Sequence, residues 1–244
     1  MAINKSRLGN NVFLRIGIIC MLINTCISTL AANLMSNEPF IFVRHGSTDW
    51  STENIPQGVQ NLHLNEQGKA EAALAAEILM SFINTDNSCY IIIASTLHRA
   101  AETAATISNK THIPIFYEDG LQEHYYGDFT QGTKIDLCGY HVPLDAESEQ
   151  VFQTRVFTTF DKIFKSNKYQ EKSKKILVSH GGVFKYLSKL LTEKEETIPR
   201  GGIAIFIPSN KKNDQRWSIH YLTKEFSLHH KQYFLHYEKA RDTP

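Results

Sequence analysis

Apolar residues along this chain are spaced in two ways, and the alternation between them predicts the fold. "PFIFVRH" (Pro39 to His45) packs its apolar residues without interruption, as a strand covered on both faces does. "NEQGKAEAALAAEILMSFI" then takes up the helical period, with Asn65 placed as its cap and Leu74, Ile78 and Phe82 recurring on one face. "YIIIAS" predicts a second strand and the Ala-rich "RAAETAATIS" its helix. "KILVS" and "VFKYLSKLL" repeat the pair, and "GIAIFI" and "WSIHYL" add two closing strands. Such alternation predicts an α/β fold, a three-layer sandwich with a mostly parallel central sheet flanked by helices. From Tyr117 to Glu149 the pattern breaks into Gly, His, Tyr, Asp and Glu, which predicts a long excursion over one end of the sheet.

Composition changes this picture mainly at the N-terminus. The 244 residues, 42% hydrophobic and 21% charged, suit one compact domain with no repeat or Pro/Gly linker to divide it. Lys5, Arg7 and Arg15 precede the apolar run "IGIICMLINTCISTLAA", with no acidic residue among them. That order is the one of a secretory signal peptide, so residues 1–32 are read as a leader cleaved near Ala31 or Ala32 and residues 33–244 as the one folded domain. The run is shorter than the roughly 20 residues that span a bilayer, which makes an uncleaved anchor the alternative. An exported protein, periplasmic or secreted, without stable membrane association after cleavage, is the expectation.

Without the leader cations, 23 Lys and Arg face 25 Asp and Glu, a net charge of −2, so neither nucleic acid nor an anionic membrane surface is the expected partner. Of four cysteines, Cys20 and Cys26 fall in the leader; Cys89 and Cys138 could pair in an oxidising compartment or stay as two buried thiols. No C-x-x-C or H-E-x-x-H pattern occurs, and His229 and His230 lack acidic or cysteine partners at ligand spacing, so no metal site is expected.

Candidate chemistry enters at the strand ends. In parallel α/β sheets ligands bind beyond the carboxyl ends of the strands. Here "FVRHG" ends in Arg44 and His45, "IIIASTLHRA" in Ser95 and Arg99, and "ILVSHGG" in Ser179 and His180. A lone histidine after a strand is usually structural, and Arg99 alone could pair with Glu102; their recurrence at three strand ends is what describes a pocket for a multiply charged anion, most simply a phosphoryl group. Gly46, Gly181 and Gly182 permit close backbone approach there.

"VRHGSTDW", "LNEQG", "STLHRAAETA", "LQEHYYGDFTQG" and "LVSHGGV", in that order over most of residues 40–207, resemble the histidine phosphatase superfamily, in its phosphoglycerate-mutase-like branch. The resemblance implies a metal-independent, cofactor-free hydrolysis of small phosphomonoesters, with His45 as nucleophile, Arg44, Arg99 and His180 as phosphate pocket and Glu123 as proton donor. Glu118, Asp119 and Asp128 are Glu123's rivals by position. Gly181 and Ser51 are expected to contact substrate, although the family often has Asn where this chain has Ser51. Only 57 positions separate Glu123 from His180, fewer than in the family's mutases, which favours a phosphatase over a phosphoglycerate-mutase-like phosphotransferase. A catalytically inactive phospho-ligand-binding module is the third reading. Lys134, Lys185 and Arg200 supply local charge for a more anionic substrate.

Overall fold

The computed structural model describes residues 38–53, 55–83, 89–127, 145–169, 173–209 and 216–223. The leader, Asp128, Lys134, Cys138, His229 and His230 lie outside them. Among the described residues, six strands, β1 (Phe40–Arg44), β2 (Tyr90–Ala94), β3 (Ile115–Tyr117), β4 (Lys174–Ser179), β5 (Ile203–Pro208) and β6 (Trp217–Leu222), form one sheet in the order β3-β2-β4-β1-β5-β6. Only β5 runs against the rest. Helices α1 (Asp49–Thr52), α2 (Glu66–Ile83), α3 (His98–Thr111), α4 (Glu149–Lys165) and α5 (Gly181–Thr192) complete the predicted α/β sandwich.

The unbroken apolar strands are covered on both faces. On one face Ile41, Val43, Ile92, Ile176 and Val178 meet Ala75, Leu79 and Phe82 of α2 and Ala104 and Ile107 of α3. On the other, Phe40 stacks on Phe206 at 4.6 Å and meets Phe160 of α4 edge-on at 5.1 Å, while Phe42 meets Phe184 of α5 at 5.2 Å. Each such phenylalanine stabilises the fold by about 1.5–3 kcal/mol through burial alone.

Two readings need correction. Leu74 is 45% exposed, because successive i+4 steps drift by about 40° and carry it off a buried face centred on Ala72, Ala75, Ala76 and Leu79. Asn65 does cap α2, its Oδ1 accepting from Gly68 N at 2.9 Å. Cys89 is exposed with a free thiol, not buried. Finally, the sequence reading assigns nothing to α4, although Ser148 caps it and Phe152, Val156, Phe160 and Ile163 form its buried stripe.

Beside β3, Glu118 is a polar anchor between sheet and α4. It is 9% exposed and accepts from Tyr169, from Lys168 at 2.9 Å and from Lys162 at 2.9 and 3.1 Å. Burial alone would raise its pKa; the bonds from Tyr169, Lys168 and Lys162 more than offset this and hold it at about 2. A folded-state pKa below the unfolded value gives stability that is present above about pH 4.5 and lost as pH falls towards 2. Because both lysines are half-exposed, screening reduces the contribution to about 1–2 kcal/mol. Urea unfolding of Glu118→Gln should therefore show that deficit at pH 7, with less than half of it remaining at pH 3.

Candidate active site

Sheet register assembles the site. Arg44 lies opposite Ser179 and Ala94 opposite Val178, so the residues just beyond β1, β4 and β2 are neighbours. The backbone continues this pairing one step past the strands, His45 N donating to Ser179 O at 3.0 Å and Ser95 N to Val178 O at 2.9 Å. His45 and His180 consequently stand with ring centroids 5.1 Å apart, both buried. His180 caps α5, and its Nε2 shares a 2.8 Å hydrogen bond with Ser95 Oγ.

The His45 tautomer follows from its partners. Nδ1 lies 2.7 Å from the carbonyl of Gly46, which can only accept, so Nδ1 carries the proton. Nε2 accepts from Arg99 Nε at 3.3 Å and so presents its lone pair towards the guanidinium. Burial, then Arg99, push the His45 pKa well below the ordinary histidine value, with Arg44 and Arg200 adding to the effect against the hydrogen bond to Gly46. Burial and Arg99 act in the same direction on His180. Both imidazoles are neutral at pH 7.

Arg99 is fully buried, donates to Gly58 O and Gln60 O at 2.7 Å each, and has its pKa lowered by burial to about 10, against the attraction of Glu123. Arg44 donates to Ile198 O at 2.7 Å. Its buried Nε, like Nδ1 of His180, has no hydrogen-bond partner among the described residues. Two cations, Arg99 against His45 and Arg44 against Gly181, with the donors Arg44 Nε and His180 Nδ1 unspent among the described residues, suit a phosphoryl group.

Glu123 is the carboxylate placed against these cations. Its Oε2 accepts from Gly182 N at 3.0 Å and its Oε1 from His124 N at 3.0 Å. Its loop is tied to the sheet by Ser179 Oγ, donating to Leu121 O at 2.7 Å. Arg155 of α4 ties it again, donating to the carbonyls of Gly120, Gln122 and Glu123 at 3.0–3.2 Å while Glu147 holds the guanidinium. Sequence reasoning missed Arg155 together with its helix. Two of the rivals are occupied elsewhere, Asp119 accepting from Thr96 and Glu118 belonging to the lysine cluster, and Asp128 lies outside the described residues.

The glycine pair after His180 is a matter of space. A Cβ on Gly182 would stand 2.3 Å from Glu123 Oε1, and one on Gly181 would stand 3.0 Å from Arg44 Cζ. Gly181 thus backs the Arg44 guanidinium. Ser51, expected to contact substrate, is engaged within its own loop. Its hydroxyl accepts from Thr48 N at 2.7 Å and Gln57 Nε2 at 2.8 Å, and it meets Thr48 Oγ1 at 3.0 Å in a capping box. One proton and two lone pairs are then all used, and Ser51 organises the loop after His45. Tyr126, part-buried with its pKa pushed far up by desolvation and by Glu123 and Glu149, flanks the same loop at Gly58.

Comparison with known proteins agrees with this architecture. Residues 40–203 match the profile of the histidine phosphatase superfamily (branch 1). The chain is 30% identical over 155 residues to an uncharacterized phosphatase, PhoE, of Bacillus subtilis (strain 168), covering 62% of this chain and 74% of that one. It is 28% identical over 163 residues to phosphoglycerate mutase-like protein 4 of Arabidopsis thaliana, covering 60% and 68%. In fold it resembles a mycobacterial glucosyl-3-phosphoglycerate phosphatase solved with VO3, with a TM-score of 0.59 at 21% identity over 75% of this chain and 97% of that chain.

Proposed function

The chain belongs to the histidine phosphatase superfamily (branch 1), and on that footing we propose that it is a phosphatase hydrolysing small phosphomonoesters through a phosphohistidine on His45, without a metal ion. The observation that carries the mechanism is the fixed neutral imidazole: Nδ1–H bound to Gly46 O, Nε2 lone pair beside Arg99. Relatives named as phosphatases support hydrolysis over phosphoryl transfer to a second substrate.

In the first step Nε2 of His45 attacks phosphorus, the ester P–O bond breaks, and Glu123 in its acid form gives its proton to the departing oxygen. Arg44, Arg99 and His180 stabilise the charge spread over the equatorial oxygens with donors already in place. In the second step Glu123, now a carboxylate, takes a proton from water. The oxygen of that water forms the new P–O bond, the P–N bond breaks, and orthophosphate leaves neutral His45 behind. The two arginines supply the positive charge that a metal ion would otherwise contribute. The leader read over residues 1–32 adds that the mature enzyme works outside the cytoplasm.

Phosphate release from a panel of sugar, nucleotide, phosphoamino-acid and polyphosphate substrates tests this reading. At least one monoester should turn over at an unchanged rate after exhaustive chelation, with vanadate competing. Loss of rate on chelation that a divalent cation restores would contradict the metal-free step. N-terminal sequencing of the exported protein should begin near Ala32 or Asn33, and an intact Met1 form held in the membrane would contradict cleavage.

A further inference from the structure

Arg200 lies on the turn between α5 and β5, in a segment bonded to the pocket on either side of it. Two residues before it, Ile198 O accepts from Arg44 Nη1 at 2.7 Å. One residue after it, Gly201 N donates to the carbonyls of Arg44 and His45 at 3.1 and 3.2 Å, a reach that its φ of +66° allows. Residue 200 is thereby held beside Arg44 and His45 by the backbone itself.

The side chain is part-buried, and its Nε is inaccessible to solvent without a hydrogen-bond partner among the described residues. No ion pair joins it to a described residue either. Other arginines of the site are spoken for: Arg99 by the carbonyls of Gly58 and Gln60, Arg155 by Glu147. Arg200 and Arg44 instead sit on segments bonded to each other through Ile198 and Gly201, each with a buried Nε that has no partner among the described residues. After burial itself, Arg200 is the main influence lowering Arg44's proton affinity, and only partly do Glu123 and Glu71 offset it. Glu71 is further engaged by Ser47 N and Oγ and by Gln67. An arginine with no task would turn outward, where water and salt screen the repulsion. One held half-buried beside a second cation is complementary to an anion.

We propose that Arg200 is a specificity residue that binds a second negative charge on the substrate, a carboxylate or a second phosphate, beside the phosphate ester held by Arg44, Arg99 and His180. This inference rests on the phosphatase reading. One phosphoryl group already has two arginines and a histidine, so the third arginine is the cation in excess.

Glycerol 3-phosphate, 3-phosphoglycerate and glycerol 1,3-bisphosphate form a matched set in which the group two carbons from the ester is neutral, a carboxylate or joined to a phosphate. Measured as kcat/KM, wild type should prefer at least one of the two doubly anionic compounds. Arg200→Gln should lose roughly 10- to 100-fold on that compound, the range of one charge-assisted hydrogen bond, and less than about 3-fold on glycerol 3-phosphate. Which anionic compound suffers decides between carboxylate and phosphate. An equal loss on all three would make Arg200 part of the ester clamp and overturn the proposal, as would no loss on any. Dissociation constants for the same three compounds and for orthophosphate, measured by calorimetry on both proteins, give a second readout. A wild type that bound these compounds but hydrolysed neither them nor any monoester of the wider panel would contradict the phosphatase reading, while the binding ratios would still decide for or against Arg200. Unchanged orthophosphate affinity in Arg200→Gln verifies that the pocket is folded.

Discussion

Replacing His45 with alanine should lower kcat/KM at least about 10⁴-fold for every phosphomonoester, because it removes the covalent route and leaves only water attacking a phosphate held by the arginines. The substitution should leave the fold intact. His45's described side-chain bonds are local, one to the adjacent Gly46 O and one from Arg99, and Arg99 stays anchored on Gly58 and Gln60. Orthophosphate should therefore still bind. In wild type, burial and then Arg99 hold the His45 pKa well below 6.5, so lowering pH through that value should not protonate the nucleophile. The acid limb of kcat/KM should accordingly lie below the ordinary histidine range, and a limb centred at 6.5 that disappeared in a His45 variant would contradict the buried, neutral assignment.

Glu123→Gln should have the next largest effect, and one that depends on the leaving group. Glutamine keeps the size, and its one carbonyl oxygen can still accept from Gly182 N or from His124 N, but it has no proton to give. An alkyl phosphate, whose alkoxide leaves poorly, should lose about 10²- to 10⁴-fold in the phosphorylation step. p-Nitrophenyl phosphate, whose phenolate leaves unaided, should lose less than about 10-fold in a single turnover. Without Glu123 to activate water, the aryl substrate should then show a burst of nitrophenolate followed by slow turnover. Equal single-turnover losses on both substrates would remove Glu123 from leaving-group protonation.

The parts of this site that could be read from the sequence are those fixed by strand ends. β1, β2 and β4 are buried on both faces, so their apolar runs stand out, and the first polar residues after each run must meet at one edge of a parallel sheet. That logic reaches Arg44, His45, Arg99 and His180. It does not reach β3, whose three residues sit at the sheet's edge and are only partly buried or exposed. Nor does it reach Arg155, which meets carbonyls 32 to 35 positions away across a loop. The engagement of Ser51 within its loop was hidden for a related reason. Its partners Thr48 and Gln57 are near in sequence, yet only the turn geometry reveals that together they use its whole hydrogen-bonding capacity. The charge of Arg200 is plain in the sequence, whereas its place beside Arg44 depends on how the α5–β5 turn folds back.

The central claim, a covalent phosphoryl group on His45, is tested most directly by trapping it. Glu123→Gln mixed with an aryl phosphate labelled at phosphorus should, when quenched in alkaline detergent within the burst, carry close to one label per chain. The label should be stable to base, labile to acid, and located by mass spectrometry on the peptide containing His45. Label on any other side chain, or a full burst of nitrophenolate with no label on the protein, would contradict the account.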